Sequence, residues 1–313
     1  MDSEKKDITR YTDRQKIGEG TYGEVYRAID SQTGKYVALK IMKPVQEDDG
    51  ISPLTLREIS ILKSVSHPNI VNLLDVVVNA STLILVFEYV PVDLQRYLRK
   101  MQCINTAPRS FEPKLLQSYS FQLLAATYIL HTHQIIHRDI KPANLLISRE
   151  GCLKLSDFGL ARYFTLPLRQ YSPNVVTEIY RAPELLFVPQ CYDLGVDIWS
   201  VGCVIAEMAR GVPLFHADSD LDLMHKMIET LGTPDDPYKI FKVDKSECTI
   251  PVLPPRPMCE VLNTDNNYLC DLVSALLAYD PAKRITAGAA LKHPYFNDLT
   301  HLVKEMSLPP GTI

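Results

Sequence analysis

The stretch His137-Arg138-Asp139-Ile140-Lys141-Pro142-Ala143-Asn144 gathers a carboxylate, an ammonium and an amide on one loop-like run broken by Pro142. Each residue type has a use in one reaction centre. Asp139 can take a proton, Lys141 can balance growing negative charge, and the Asn144 carbonyl can hold a hard cation. A charged loop can equally be a solvated turn, so the text on either side decides.

Downstream, Cys152-Leu153-Lys154-Leu155 alternates apolar and polar residues as a strand does, and Asp157-Phe158-Gly159 places a second carboxylate at its end. Ala182-Pro183-Glu184 closes the following segment. Upstream, Val37-Ala38-Leu39-Lys40 alternates too, which puts Ala38 and Lys40 on one face. The run Ser52 to Val65 is predicted as a helix, with Ser52 able to cap it and Pro53 suited to its first turn. Leu54, Ile61, Leu62 and Val65 form its apolar stripe. Glu58 falls inside that stripe, where an ionised carboxylate needs a partner, and Lys40 can supply it. Nearer the start, Gly18-Glu19-Gly20-Thr21-Tyr22-Gly23-Glu24-Val25 has the form G-x-G-x-x-G-x-V, whose missing side chains let backbone amides approach phosphates. Taken singly, these pieces have ordinary readings: glycines between strands need no ligand, and most lysines are solvated. Their order along one chain carries the inference.

Bulk properties exclude other classes. The chain has 313 residues, room for about two domains, with 46% hydrophobic and 22% charged residues, so it should fold around real cores. A net charge of -4 argues against direct nucleic-acid binding, which usually requires a basic surface. The seven cysteines form no C-x-x-C pair and leave one over, so reduced thiols and a cytoplasmic or nuclear setting are expected. His131 and His133 are spaced i, i+2, which does not bring two imidazoles to one helical face, so no metal site of side chains alone is expected. Met1 to Lys16 is charged and lacks the apolar core of a secretory signal, and no apolar run approaches a membrane span.

From Tyr11 to about Tyr89 the pattern is mostly strand-like, with Val25 to Asp30 and Lys35 to Ile41 flanking a hairpin turn at Ser31-Gln32-Thr33-Gly34. Beyond Asp93 it lengthens to helices, among them Pro113 to His131, Asp197 to Ala209 and Leu221 to Leu231. A small β-rich lobe is thus expected before a larger helical one. Residues 233–268, rich in proline, are read as an irregular insert.

In their order and spacing these motifs resemble those of eukaryotic serine/threonine protein kinases of the CMGC group. The closer resemblance is to the cyclin-dependent kinases, through Gly18 to Val25, Leu56-Arg57-Glu58-Ile59, His137 to Leu146, Asp157 to Arg162, Val175-Val176-Thr177 to Glu184, Asp197 to Cys203 and Leu231-Gly232-Thr233-Pro234. It covers roughly residues 10–298. The resemblance implies an α+β, bilobal kinase fold: an extension at 1–10, an N-terminal lobe at 11–89 with one regulatory helix, a mostly α-helical C-terminal lobe at 90–298, and a tail at 299–313. It implies ATP and Mg²⁺, with Asp139, Lys141, Lys40, Glu58 and Thr177 in catalytic roles and Asn144 and Asp157 on the metal. ATP would lie among Ile17, Gly18, Glu19, Gly20, Thr21, Tyr22, Gly23, Val25, Ala38, Lys40, Asp93, Lys141, Ala143, Asn144, Leu146 and Asp157, with adenine at the hinge Glu88-Tyr89-Val90 and Phe87 behind it.

The same resemblance implies an activating phosphorylation at Ser172, held by Arg57, Arg138 and Arg162, and inhibitory ones at Thr21 and Tyr22. Val175, Val176 and Arg181 would form a pocket for the proline of Ser/Thr-Pro protein substrates. A cyclin would dock on the Glu58 helix with Leu56 as anchor, and a small docking subunit could use the C-lobe insert. This sequence departs from the family at Ser52-Pro53, usually Pro-Ser, and at Glu178-Ile179, usually Leu-Trp. A mitogen-activated type of kinase is the main alternative, but its Thr-x-Tyr pair is missing, since Thr177 and Tyr180 are spaced differently. A pseudokinase scaffold is disfavoured because Lys40, Glu58, Asp139, Asn144 and Asp157 are all present.

Overall fold

The run Tyr36-Val37-Ala38-Leu39-Lys40-Ile41-Met42 forms a strand whose alternation sends Val37 and Leu39 into one apolar layer and turns Ala38 and Lys40 to the other face. In this computed structural model, which describes residues 8–20, 23–42, 53–79, 82–103, 110–164, 179–187, 193–246 and 249–299, it is the third strand, β3 (Tyr36–Met42). Its companions are β1 (Tyr11–Gly20), β2 (Gly23–Asp30), β4 (Leu73–Asn79) and β5 (Thr82–Glu88), joined in the antiparallel order β1-β2-β3-β5-β4. The expected hairpin joins β2 to β3. Asp30 closes it by accepting from the Gln32 amide at 3.1 Å and the Thr33 hydroxyl at 2.8 Å, and Gly34 takes the left-handed φ of 66° that ends the turn.

Helix α1 (Pro53–Ser64) packs beside this sheet. Its Ile61 and Leu62, with Val65 just beyond, are buried in the same cluster as the C-terminal core, so α1 is shared between the two halves. Its cap at Ser52 and the side chain of Leu54 lie outside what is described.

After β6 (Val92–Asp93) the chain turns helical with α2 (Leu94–Cys103) and α3 (Pro113–Thr132). α3 starts where Glu112 accepts from the Leu115 amide and Pro113 supplies a first-turn φ, then buries most of its length. Short strands β7 (Ile135–Ile136), β8 (Leu145–Ile147), β9 (Leu153–Leu155) and β10 (Arg162–Tyr163) form two small sheets, β10-β7 and β6-β8-β9. They shape the loops between them and present those loops to the cleft beneath the large sheet. The remaining helices are α4 (Gly195–Arg210), α5 (Asp220–Leu231), α6 (Pro237–Phe241), α7 (Met258–Leu262), α8 (Asn267–Leu276) and α9 (Ala287–Ala290).

Trp199 of α4 is wholly buried, stacked on Phe215 with ring centroids 6.2 Å apart, and the Arg284 guanidinium lies 5.3 Å over its ring. Cutting such a side chain to alanine typically costs about 3–5 kcal/mol. Arg284 also makes a bidentate, buried pair with Glu184 at 2.9 and 3.2 Å, tying the Ala182-Pro183-Glu184 turn to the far end of the helical half.

Two expectations need amendment. The insert at 233–268 is not wholly irregular, because it holds α6 and α7. Nor are all cysteines thiols: Cys259 and Cys270, on successive helices with Cα atoms 5.5 Å apart, are joined as a disulfide. Helix packing brings the two together, and spacing in the sequence gives no sign of it.

Candidate active site

The cleft between the sheet and the helical half collects the charged residues of the motifs. Lys40 stands on the cleft face of β3, in register with Val25 of β2 and Leu85 of β5. Its Nζ is 2.7 Å from Glu58 Oε1 on α1 and 3.1 Å from Asp157 Oδ1 just beyond β9. Glu58 is the buried carboxylate that the helical stripe left without a partner. Burial pushes its pKa up, and Lys40 offsets that only in part. Burial also opposes the charge on Lys40, but Asp157 and Glu58 outweigh it and hold the ammonium above its ordinary pKa. For Asp157, burial would raise the pKa, yet Lys40 wins and holds it below the usual carboxylate value.

Asp157 itself sits in left-handed backbone, φ 59° and ψ 79°, with its Oδ1 accepting weakly from the Gly159 amide at 3.4 Å. Such a conformation costs a non-glycine residue about 1–3 kcal/mol and persists only where the surroundings hold it. Here Phe158 does so: it is buried under α1, its ring edge-on to His137 at 4.9 Å. The side chain of Asp157 remains 45% exposed, so this anchored residue offers its charge to the cleft.

Facing it is the loop that carries Asp139. Asn144 Nδ2 donates to Asp139 Oδ2 at 2.7 Å and to the Asp139 carbonyl at 2.8 Å, while Lys141 Nζ lies 2.7 Å from Asp139 Oδ1. With its nitrogen so engaged, Asn144 keeps its amide oxygen as the atom for a cation. His137 holds the loop from behind. Its Nε2 donates to the Ser156 carbonyl at 3.0 Å, which leaves Nδ1 to accept from the Asp139 amide at 3.3 Å. Among the described residues no group of three His, Cys, Asp or Glu forms a metal cage. Asp157, with its side chain partly exposed, is an oxygen donor open to this cleft.

One residue essential to this geometry was given no role from the sequence. Asp197, fully buried on α4, accepts from the backbone amides of His137 and Arg138, both at 2.8 Å, and lies 3.2 Å from His131 Nε2. Burial would raise its pKa, but the bond to His131 and the neighbouring histidines and amides hold it low. It pins a loop in which Arg138 has a left-handed φ of 69°. The readable signal was a carboxylate within the otherwise apolar start of a predicted helix, which demands buried partners.

The glycine-bearing strands β1 and β2 lie beside β3, in the order β1-β2-β3. Register pairs Gly18 with Val25 and Gly20 with Gly23 across β1 and β2. A Cβ on Gly23 would come 2.1 Å from the Ile41 carbonyl, so the sheet itself requires that glycine. A Cβ on Gly18 would meet nothing nearer than Val25 Cβ at 3.9 Å. Packing does not explain why position 18 is bare; close approach by a ligand would. Ile17, Val25, Ala38 and Leu146 are half-buried on the elements that line the cleft, as are Phe87, Glu88, Tyr89 and Val90 where β5 leaves the sheet. Glu88 braces that exit: its Oε1 accepts from the Asn72 amide at 2.8 Å and pairs with Lys154 of β9 at 3.0 Å. Asp93, at the end of β6, pairs across β8 with Leu146, and Ala143 sits beside Asn144 in the short turn before that strand.

Among the positions expected to serve regulation and substrate binding, Arg138 Nε donates to the Leu160 carbonyl at 2.6 Å, and Arg162 lies on β10, paired with Ile136 of β7. Arg57 is half-buried on α1 beside Glu58, while Leu56 on the same helix is 53% exposed. Arg181 reaches Asp220 at 3.5 Å. Thr21, Tyr22, Ser172, Val175, Val176 and Thr177 lie outside the described residues.

Comparison with known proteins agrees with this geometry. The profile of the protein kinase domain matches residues 11–296. The chain is also 43% identical over 298 residues to a Trypanosoma brucei brucei protein named cell division control protein 2 homolog 3, covering 94% of each of the two chains. With the domain matched almost from end to end and the cleft built as described, the chain belongs to the protein kinase family, as a serine/threonine kinase of the cyclin-dependent type.

Proposed function

We propose that this kinase moves the γ-phosphate of ATP, with Mg²⁺, onto serine or threonine followed by proline in proteins, and that a cyclin-type subunit on α1 sets its rate. The observation that supports this most is the position of Lys40, within ion-pair distance of both Glu58 and Asp157. Glu58 keeps the ammonium extended into the cleft, where it can hold the phosphates of ATP. Asp139 takes the proton of the attacking hydroxyl, and Lys141 at its side answers the charge that develops on the moving group. Asn144, through its oxygen, and Asp157, through its open carboxylate, suit a hard cation that keeps other positions for phosphate oxygens. When bound, Mg²⁺ would neutralise charge on those phosphates. Ala38, Val25 and Leu146 offer apolar flanks for adenine beside Glu88-Tyr89-Val90. The roles of Ser172, Thr21, Tyr22, Thr177, Val175 and Val176 rest on the resemblance, and a cytoplasmic or nuclear location rests on the cysteine pattern of the sequence.

The cyclin reading rests on α1, which carries exposed Leu56 two positions before buried Glu58. A partner that covers Leu56 presses on the helix that orients Lys40. The test is transfer to Ser-Pro and Ser-Ala peptides by the purified chain, with and without a cognate cyclin. Weak activity alone, strong stimulation and preference for Ser-Pro are expected. Full activity in the isolated chain would overturn the partner requirement, and equal rates on the two peptides would overturn the proline rule.

A further inference from the structure

Between α6 and α7 the chain runs Ile250-Pro251-Val252-Leu253-Pro254-Pro255-Arg256-Pro257 without helix or strand. Proline fixes φ near −65° and pushes the residue before it toward extended backbone, so such a run favours the polyproline II conformation. Pro257, at φ −56° and ψ 124°, is close to it. Every residue from Pro251 to Pro257 is exposed, Val252 at 89%.

The strip is held from beneath. The Leu253 amide donates to Thr233 Oγ1 at 2.8 Å, its carbonyl accepts from the Thr233 amide at 2.9 Å, and Thr233 Oγ1 donates to the Pro251 carbonyl at 2.7 Å. The Arg256 amide donates to the Thr230 carbonyl at 3.2 Å. Gly232 makes room, since a Cβ there would stand 2.6 Å from the Pro255 nitrogen. The strip is therefore ordered in advance, and a partner need not supply the entropy of straightening it.

Arg256 is the one charged residue of the strip. Among the described residues no carboxylate pairs with the exposed Arg256. Its neighbour is another cation, Arg210, whose pKa is lowered by burial and then by Arg256.

We propose that Val252–Pro257 is a docking strip for a proline-reading protein domain whose aromatic slot takes Pro254 and Pro255 and whose acidic rim takes Arg256. Burial selects the kind of reader. A long groove of the SH3 kind would grip Ile250-Pro251 as well as Leu253-Pro254, but Ile250 is 7% exposed and belongs to the core. A short slot of the WW kind needs only the open end. This site lies on the helical half and does not depend on phosphate transfer.

The test titrates the full chain into an isotope-labelled WW domain that selects proline pairs followed by arginine, with an SH3 domain as second probe. Saturable shifts confined to the aromatic slot of the WW domain are expected. Arg256→Glu should weaken binding about tenfold or more, because it sets like charge against the acidic rim. Being exposed, it should leave folding and basal kinase activity unchanged. The double variant Pro254→Ala, Pro255→Ala should weaken binding to a similar degree. Absence of shifts, wild-type affinity in Arg256→Glu, or tighter binding to the SH3 domain would each overturn the assignment.

Discussion

The loop around Asp139 and the triad around Lys40 face one cleft but are held in opposite ways. Asp139 finds its partners close by in the chain, at Lys141 and Asn144, and its loop is pinned in part by the buried carboxylate of Asp197. All of that belongs to the helical half. Lys40 instead depends on β3, α1 and the end of β9, with Asp157 lying 117 positions along the chain. The Asp139 side, proposed to take the proton, can thus keep its geometry when the lobes shift. The Lys40 side, proposed to hold the phosphates, can be made or broken by moving one helix, which is where the proposed partner would have leverage.

Breaking the second region should have the largest effect. Asp157→Asn is expected to abolish Mg²⁺-dependent transfer, measured as peptide phosphorylation across a magnesium titration; an unimpaired variant would mean the cation is held elsewhere. Leu56→Asp should act only through the partner. Buried interface anchors are commonly worth 2 kcal/mol or more, so stimulation by a cyclin should fall about tenfold or further. Undiminished stimulation would move the docking surface off this face of α1.

Asp197→Asn sharpens the comparison from the other side, since it removes one of the acceptors that pins the Asp139 loop. A buried amide left unpaired costs about 1–3 kcal/mol, to be read as a lower urea midpoint with unchanged slope. The exchange of the His137 and Arg138 amide hydrogens should quicken as well, whereas slow exchange would show that other contacts hold the loop.

The smallest effect concerns pH. Because the pKa of Asp157 is depressed in the fold, its pairing with Lys40 adds stability above the ordinary carboxylate value of 3.8, and that stability is lost as pH falls through the depressed value. Any thermal margin of wild type over Asp157→Asn should therefore shrink as pH drops through the acid range. Partial exposure of Asp157 screens the pair and keeps the margin modest. A margin that widens on acidification would contradict the pairing.

How much of this was legible beforehand varied with how local the signal was. The face shared by Ala38 and Lys40 follows from the period of a strand, and the hairpin at Ser31 to Gly34 from its turn residues. Glu58 announced a partner because a charge in an apolar stripe requires one. Asp197 gave the same kind of signal, but nothing near it in the chain named its partners, which are backbone amides on a distant loop. The Glu184–Arg284 pair spans 100 positions, and the Cys259–Cys270 bond depends on how two helices pack. Neither leaves a periodic trace. The proline run at 251–257 was visible as composition, but its anchoring to Thr233 was not.

The most direct test of the central assignment is single-turnover transfer to a Ser-Pro peptide by Asp139→Asn beside wild type, with nucleotide affinity measured in both. Loss of general-base help should slow transfer by about 10² to 10⁴ while nucleotide binding changes little. A fall of less than about tenfold, or lost nucleotide binding with transfer otherwise intact, would contradict the role given to Asp139.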